Sequence, residues 1–512
     1  MKRPIEYLYQ GLDINPRGIA ATDQREQVSY SELVTRVEAL AQALRQRLPD
    51  GAHVALCAQN HIDHLVAHLA IIAANQVWVP INPKNGQQLN NQLIEVSQPQ
   101  LILVDRTSLD SLPETLTETR SQVVSIDTPN EGTRQWIEQF RGRAFTLELP
   151  SFDRTMAIKF TGGTTGQPKG VIQTHGNVSA VVANMQAQFH FNRDDVNLAV
   201  APLTHGGSHY ILPILGAGGS HCLLTTPDIA KIAQALPHSS VSFMPPTLIY
   251  KLLEYPGLDR DSAPRLRHLT YSAAPMPPQK ISEVITRFGP CLSTVYGQTE
   301  APMTITAMSA QDMQNPARQR SVGRPCLHSE LCILGPDGAA LPAGETGEVA
   351  VRGGIVMPGY FDSPEQSAGA FKDGWLLTGD LGYVDADGYL FLQGRSKELI
   401  ISGGFNVYPA EVENAMIKLP GVRECAVFGI ADEYWGERVE AAVCLVDGST
   451  ANSDTLRAQL KPLLGDVKTP KRIHLLSALP RNPVGKVVRR EVKALCHSHE
   501  NPIEHNAEAR SR

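Results

Sequence analysis

The first third of the chain alternates between segments with helical periodicity and short apolar segments typical of buried strands. A helix is predicted after Ser29, which forms a capping-box start with Glu32 and precedes apolar residues at helical spacing. The alternation continues with a predicted strand at 53–58, a helix at 61–75 and a strand at 77–81. This order predicts a largely parallel sheet covered by helices.

The chain has 512 residues, which exceeds the roughly 100–200 residues expected of one domain. Hydrophobic residues make up 42% and charged residues 19%, so a large core can be buried. The net charge is −6 and we see no long basic run, which gives no reason to expect a nucleic-acid partner.

The amino-terminal stretch lacks the apolar region of a secretory signal, and no run of about 18 apolar residues predicts a membrane span. The eight cysteines are scattered, and their spacing is not that of a zinc site or a redox pair. We therefore expect reduced thiols in a cytoplasmic protein.

Turn signals become dense from about Gly335, with alternating segments between them, which predicts a small β-rich region. A compact α+β module of about a hundred residues follows, with a short helix starting at Pro409. The predicted class is α/β: a large N-terminal domain of helix-covered sheets with the β-rich region, then a small mobile α+β domain. The predicted divisions are 1–395, 396–496 and a disordered tail at 497–512.

The stretch "FTGGTTGQPKG" (160–170) combines four glycines, three threonines and a lysine between a predicted strand and its predicted hairpin partner. Exposed backbone N–H groups and a positive charge suit phosphate. A Walker A loop needs Gly-Lys-Ser/Thr leading directly into a helix, whereas Lys169 lies between Pro168 and Gly170. From the residues alone, a phosphate-binding loop and a structural hairpin both remain open.

Other polar clusters suit a nucleotide but also allow ordinary structural interpretations. In "TVYGQTE", Tyr296 can stack on a base, Thr299 can donate to phosphate and Glu300 can hold Mg²⁺, or the segment is a solvated turn. Asp380 can accept ribose hydroxyls and Arg395 can donate to phosphate or ribose oxygens, although surface ion pairs are commoner.

Taken together and in order, these motifs resemble the adenylate-forming superfamily of acyl- and aryl-CoA ligases, peptide-synthetase adenylation domains and beetle luciferases. The resemblance covers nearly the whole chain, through "TGGTTGQPKG", "YGQTE", "TGD", "GRSKELIISGGFNVYPAEVE" and "PRNPVGK". It implies ATP- and Mg²⁺-dependent activation of a small carboxylic acid to an acyl adenylate. Coenzyme A then forms a thioester, and AMP and pyrophosphate are released.

The resemblance assigns catalytic roles to Lys486, which bridges the acid and the α-phosphate, and to Glu300, His205 and Thr161. Gly162 replaces a serine common in the family, from which we expect a modest loss of phosphate contacts. The implied ATP- and AMP-binding set is Thr161, Gly162, Gly163, Thr164, Thr165, Gly166, Lys169, Ala273, Ala274, Pro275, Thr294, Tyr296, Gly297, Thr299, Asp380, Arg395 and Lys486.

The resemblance also implies a moving C-terminal domain with its hinge at Lys397. After adenylation this domain rotates, withdraws the catalytic lysine and brings Gly403 and Gly404 to a tunnel for the thiol. His205 matches an aromatic gate, with a satisfied structural histidine as the alternative, and the implied acid pocket holds His205, Gly206 and Gly207.

The stretch 204–219 contains no acidic residue that could bind the ammonium of an amino acid. An aromatic, arylpropenoic or medium-chain aliphatic acid is therefore expected. Coenzyme A is the favoured acceptor, and the alternatives are a carrier-protein phosphopantetheine or an inactive nucleotide-binding regulator. The oligomeric state stays open, with a homodimer as one option.

Overall fold

The computed structural model describes residues 1–113, 121–161, 168–482 and 486–498. Its contacts divide the chain into two compact units. The large unit contains 1–332, 350–378 and 387–390, and the small unit contains 333–349, 379–386 and 391–512. The predicted division after residue 395 stays a prediction, and residues 499–512 of the predicted tail lie outside the described residues.

One sheet of the large unit has six strands. Their spatial order is Gln122–Ser125, Leu101–Val104, His53–Cys57, Val77–Ile81, Thr155–Thr161 and Lys169–Thr174. All neighbours are parallel except the last pair, which is an antiparallel hairpin. The helices of this region are Tyr30–Arg47, Ile62–Ala73, Gln87–Ser97 and Gly132–Phe140. The predicted parallel strands and the hairpin are thereby confirmed.

The second sheet of the large unit has nine strands. Their order is Arg324–Pro325, Ala301–Met308, Leu292–Gln298, His268–Tyr271, Val241–Met244, Val196–Ala199, Ser220–Leu223, Ile19–Thr22 and Gln27–Ser29. The central strands are parallel, and both edges are antiparallel. The accompanying helices are Glu6–Ile14, His175–Phe189, Ile211–Gly216, Ile229–Ala235, Pro246–Glu254 and Pro278–Phe288.

Side chains at two helix starts explain where these helices begin. Ser29 accepts a hydrogen bond from the Glu32 backbone N–H, as the sequence predicts. The sequence predicts Asn177 as the cap of the helix after the hairpin, but Thr174, three residues earlier, is its cap. Asn177, expected to be the cap, lies in the first turn and returns a hydrogen bond to the Thr174 backbone N–H. The capping box therefore uses both residues.

The turn-rich segment after residue 329 contains short strands and one short helix, in agreement with the predicted β-rich region. The strands are Glu330–Leu334, Gly347–Arg352, Phe371–Lys372, Trp375–Val384 and Leu390–Arg395, and the helix is Pro364–Gly369.

From Ile400 onward, the small unit contains a sheet flanked by helices. The strands Phe405–Val407, Ile400–Ser402, Gly436–Leu445 and Val422–Asp432 are neighbours in that order, and Arg472–Leu475 also pairs with 436–445. The helices are Pro409–Met416, Ser453–Lys468 and Arg489–Ser498, and the first of them confirms the predicted start at Pro409. Within the described ranges, no helix is both long and apolar enough to span a membrane.

Candidate nucleotide and acid site

Several predicted site residues follow the carboxyl ends of neighbouring parallel strands in the nine-stranded sheet. Strands 196–199, 241–244, 268–271 and 292–298 lie side by side with the same direction. Residues just beyond such ends share one edge of the sheet, which is where open α/β sheets bind ligands. His205, Ala273 and Glu300 all lie just beyond these ends.

Two predicted phosphate-binding residues flank the glycine-rich loop. Thr161 is the last residue of its strand and pairs with Lys169 at the start of the next strand. The Lys169 ammonium lies 5.1 Å from the centre of the Tyr360 ring, a cation–π distance. Gly162, Gly163, Thr164, Thr165 and Gly166 lie outside the described residues, so their roles stay predictions.

Glu300 and Lys169 both contact Tyr360, and Thr299 is hydrogen-bonded to Gln173 of the strand that begins at Lys169. The Tyr360 hydroxyl donates to Glu300 Oε1 at 3.0 Å, and the Gln173 side chain donates to the Thr299 carbonyl at 3.0 Å. Burial, followed by the Glu300 charge, raises the pKa of Tyr360, which keeps its phenol protonated. This cluster places a carboxylate and an ammonium at the base of the glycine-rich hairpin.

Glu300 has the chemistry expected of a magnesium ligand. Its carboxylate is half-buried and is oriented by the Tyr360 hydroxyl. No group of three or more His, Cys, Asp or Glu side chains in the described part of the chain is arranged to hold a metal by itself. Mg²⁺ is commonly bound by one or two carboxylates together with substrate phosphates, so a single carboxylate beside a phosphate loop fits Mg²⁺-ATP.

The segment predicted to line adenine is exposed and partly strained. Ala273, Ala274 and Pro275 are all exposed after the strand His268–Tyr271. Ala273 has a φ of +72°, in the left-handed region that non-glycine residues rarely adopt. Strain of this kind persists where surrounding structure imposes it and is frequent at ligand sites.

Two other residues of the predicted nucleotide set have clear structural roles. The buried Thr294 hydroxyl donates to the Tyr271 carbonyl at 3.0 Å and joins neighbouring strands. A Cβ on Gly297 would lie 2.5 Å from the Met303 backbone nitrogen, so only glycine fits there. Tyr296 is 8% exposed, and its stacking on a base stays a prediction.

The predicted gate residue His205 is largely buried and neutral. Burial, followed by the nearby Lys159 charge, lowers the pKa of His205 to about 4. The His205 ring contacts the Thr204 hydroxyl at 3.0 Å, and the His205 carbonyl accepts from the Ser208 hydroxyl at 2.7 Å. A neutral imidazole here can hydrogen-bond a carboxylate through one N–H.

The two glycines after His205 are closely packed. A Cβ on Gly206 would lie 2.7 Å from Phe243, and one on Gly207 would lie 2.5 Å from the Ala201 carbonyl oxygen. The place of both glycines in the acid pocket, which the resemblance implies, stays a prediction. The structure adds that Gly207 tolerates no side chain, because the atom it would meet belongs to the backbone.

In the small unit, Asp380 and Arg395 form an ion pair. Arg395 Nε lies 2.7 Å from Asp380 Oδ1, and the Asp380 side chain is nearly buried. The preceding Gly379 has a φ of +70° and its backbone N–H donates to Glu348 at 3.1 Å. An ion pair is the structural alternative that the sequence left open for these residues, and their binding of ribose and phosphate stays a prediction.

Lys486 lies on a loop of the small unit that two hydrogen bonds with Asn482 hold in place. Its backbone N–H donates to the Asn482 side chain at 2.8 Å, and the Asn482 N–H donates to the Lys486 carbonyl at 2.9 Å. Although much of its surface is exposed, surrounding protein lowers the pKa of Lys486 through desolvation, and the Arg395 charge adds to this effect. Asp380 acts in the opposite direction. Within the small unit, Lys486, Arg395 and Asp380 are therefore close enough for their charges to interact.

The remaining predicted residues of the small unit are in turns. Lys397 is exposed within the 3₁₀ turn Ser396–Glu398. Gly403 and Gly404 form a two-residue hairpin turn with φ values of +57° and +80°, which favour glycine. Their roles as hinge and thiol tunnel stay predictions.

Two residues that the sequence did not point to belong to this region. Tyr360 orients Glu300 and contacts Lys169, although it is 60 positions from Glu300 in sequence. Lys159 lies in the strand before the glycine-rich loop and is 7% exposed. A lysine in an otherwise apolar strand segment was the available signal for Lys159, whereas no local pattern could have identified Tyr360.

Comparison with protein-family models identifies two regions. Residues 12–361 match the model described as AMP-binding enzyme, and residues 411–486 match the AMP-binding enzyme C-terminal domain. The two matches lie in the order that the sequence motifs predict.

Similar proteins with assigned names cover nearly the whole chain. A feruloyl-CoA synthase of Amycolatopsis sp is 32% identical over 94% of this chain and 96% of its own. A 2-succinylbenzoate–CoA ligase of Geobacillus kaustophilus is 31% identical over 96% of this chain and 97% of its own. The crystal structure of ATP-bound MatB from Rhodopseudomonas palustris superposes with a TM-score of 0.89 at 28% identity, covering 98% of this chain and 99% of that one.

Proposed function

The chain belongs to the AMP-binding enzyme family, and on that premise we propose how its residues divide the reaction of an AMP-forming acid–CoA ligase. In this reaction ATP activates a carboxylic acid as an acyl adenylate with release of pyrophosphate, and coenzyme A then displaces AMP to give a thioester. The enzyme uses ATP, Mg²⁺ and coenzyme A.

The contacts of Glu300 and Lys169 with Tyr360 are the observation that carries the assignment of the first step. A carboxylate attacks the α-phosphate of ATP, and negative charge develops on phosphate oxygens during this attack. Glu300 would hold Mg²⁺, which would supply positive charge for the phosphates, while Lys169 and the loop backbone between Thr161 and Pro168 stabilise the departing phosphates.

Lys486, Asp380 and Arg395 form the second group of proposed nucleotide contacts. Lys486 links the acid carboxylate to the α-phosphate, and Asp380 with Arg395 binds the ribose. The lowered pKa of Lys486 is consistent with this role, because its main cause is desolvation, and a partly desolvated ammonium is attracted more strongly to an anionic phosphate.

For the second step, we propose that the small unit turns about Lys397 and presents the Gly403–Gly404 turn to the thiol. Two exposed glycines with positive φ leave no side chain in the path of a narrow pantetheine arm. The thiolate adds to the carbonyl carbon of the acyl adenylate, and AMP leaves with the bonding electron pair of the mixed anhydride.

The acid is proposed to be aromatic, arylpropenoic or medium-chain aliphatic. The absence of Asp and Glu from 204–219 argues against recognition of an amino-acid ammonium. The names of the feruloyl-CoA synthase and the 2-succinylbenzoate–CoA ligase support an aromatic or arylpropenoic acid. All eight cysteines lie in the described part of the chain and none of them forms a disulfide there, which supports the proposal of a cytoplasmic location.

The test is acid-dependent exchange of pyrophosphate into ATP, across a panel of aliphatic, aromatic and arylpropenoic acids. Exchange with at least one acid is expected, followed by thioester formation when coenzyme A is added. If the thioester forms only on the phosphopantetheine of a carrier protein, that carrier protein is the acceptor and coenzyme A is not. Nucleotide binding with no exchange for any acid would contradict the ligase and favour an inactive regulator.

A further inference from the structure

A small interior cavity of about 20 Å³ in the large unit lies beside the strand Thr155–Thr161. It adjoins the helices at 62–73 and 175–189 and the turn Gly206–Tyr210. Its polar lining consists of His68, Trp78, Lys159, Gln173, Ser208 and His209, and its other lining side chains are aliphatic or Met. A cavity of this size accommodates about one water-sized group.

Lys159 is the charged group of this cavity. Its ammonium lies 3.2 Å from the Ser208 hydroxyl and 3.2 Å from His209 Nε2, and 5.0 Å from the centre of the Trp78 ring. An ammonium has three N–H donors, and these two contacts use two of them. A third donor remains for a group inside the cavity.

No Asp or Glu is found among the described residues that line this cavity. Burial of a cation away from an anion is costly, and it lowers the pKa of Lys159 to about 7. A partner that supplies negative charge or a strong hydrogen-bond acceptor would offset this cost.

Other polar atoms around the cavity point to the same kind of partner. Both ring nitrogens of His68 and Nε1 of Trp78 are buried and have no hydrogen-bond partner among the described residues. Trp78 Nε1 can only donate, and a neutral His68 ring has one donor. Burial lowers the pKa of His68 well below its usual value, so its ring is neutral at physiological pH.

The cavity borders the proposed acid pocket. Ser208 and His209 directly follow the gate segment His205–Gly207 in sequence, and Ser208 donates to the His205 carbonyl. Lys159 precedes Thr161 by two positions in one strand, and its charge acts on His205. A substrate tail extending beyond His205 would therefore approach the Lys159 ammonium.

We propose that the acid carries, at the end remote from its reacting carboxylate, an oxygen that accepts hydrogen bonds from Lys159, Trp78 and His68. This oxygen belongs to a second carboxylate or to a ketone, and Lys159 is a specificity-determining residue that takes no part in the adenylation chemistry. The proposal rests on the proposed ligase function and narrows its substrate class.

The experiment compares acids of matched shape in the exchange assay. Hexanoate is paired with adipate and 5-oxohexanoate, and cinnamate with 4-carboxycinnamate and 4-acetylcinnamate, which separates the carboxylate from the ketone. The wild-type enzyme is expected to favour one oxygen-bearing class over its hydrocarbon partner by about tenfold or more, the usual effect of a hydrogen bond to a charged group.

Lys159→Met should remove this preference by lowering kcat/KM for the oxygen-bearing acid about tenfold, with the hydrocarbon acid and the KM for ATP unchanged. Trp78→Phe keeps the ring and removes one donor, and a smaller loss for the same acid is expected. Lys251→Met, at an exposed helical lysine, is the matched control.

Equal losses for all acids in Lys159→Met would show a structural role and overturn the proposal. A wild-type preference for the hydrocarbon acids would also overturn it, leaving a cavity that holds solvent only. Exchange with hydrocarbon acids alone would therefore contradict this inference but still support the proposed ligase function. No exchange with any acid would contradict the proposed ligase function itself.

Discussion

Lys159 in the large unit and Lys486 in the small unit both have lowered pKa values, but their surroundings differ. Lys159 is 7% exposed, on a strand, and faces histidines and a tryptophan. Lys486 is exposed on a loop, near Arg395 and Asp380. A lysine inside a rigid core can distinguish shapes and charges of a substrate, whereas a lysine on a loop can reach a reacting phosphate and leave again.

Lys486→Met should produce the largest effect. Loss of the contact between acid and α-phosphate is expected to slow adenylation at least about a hundredfold, roughly 3 kcal/mol of transition-state stabilisation. Thioester formation from a supplied acyl adenylate should be preserved, because the role that we propose for Lys486 belongs to the first step alone. Measurement of both half-reactions checks this, with Lys418→Met at an exposed lysine of the same unit as the control. Equal losses in both half-reactions would contradict the assignment.

Glu300→Gln tests the large unit's part in activation. Removal of the carboxylate charge should lower the adenylation rate about ten- to a hundredfold and raise the Mg²⁺ concentration needed for half-maximal rate. Tyr360→Phe keeps the carboxylate and loses only its orienting hydrogen bond, so a smaller loss is expected. An unchanged magnesium requirement in Glu300→Gln would remove Glu300 from the metal site.

The pH dependence of stability tests the burial of Lys159. Its pKa of about 7 in the folded protein lies below the ordinary lysine value of about 10.4, so the unfolded chain binds more protons between these values. The free energy of unfolding should therefore rise with pH, by about 2 kcal/mol between pH 7 and 9, relative to Lys159→Met.

The three histidines near Lys159 do not titrate in the range from pH 7 to 9. The pKa values of His68, His205 and His209 are all lowered, because burial disfavours their charged forms, so they titrate at lower pH. Denaturant unfolding of both proteins at several pH values provides the measurement. If the plots of unfolding free energy against pH are parallel for wild type and Lys159→Met, the Lys159 ammonium is not desolvated in the folded protein.

Ala273→Gly should give the smallest effect. Glycine removes the steric cost of the φ of +72°, partly offset by its greater freedom in the unfolded chain, so a gain of up to about 1 kcal/mol in unfolding free energy is expected. Thermal unfolding and the KM for ATP check this, with Ala274→Gly as the neighbouring control. A loss of stability would show that the Ala273 methyl group makes packing contacts that outweigh the strain.

Much of the secondary structure was readable from local patterns. The alternation of strands and helices predicted the parallel sheet at 53–81, and Pro409 predicted the start of its helix. These features depend on residues within a few positions of each other. The one misplaced cap, Asn177 in place of Thr174, involves two residues that exchange hydrogen bonds, so the residues alone did not distinguish which of them begins the helix.

Part of the candidate site could be predicted from the sequence. The order of the motifs indicated the family, and Glu300, Asp380 and Lys486 were identified as residues of suitable chemistry. The residues that orient them could not be predicted in the same way. Tyr360, which donates a hydrogen bond to Glu300, lies 60 positions away in sequence, and no local pattern links the two residues.

The sequence by itself therefore determined the class of the fold, the family and the type of chemistry, because periodicity, turn residues and ordered motifs are local properties of a chain. Only the tertiary structure decided that Tyr360 orients Glu300, and that Lys159 is buried with His68, Trp78 and His209. The physical reason is that the burial of a charge, and the hydrogen-bond donors that remain for a ligand, depend on which distant side chains pack around it.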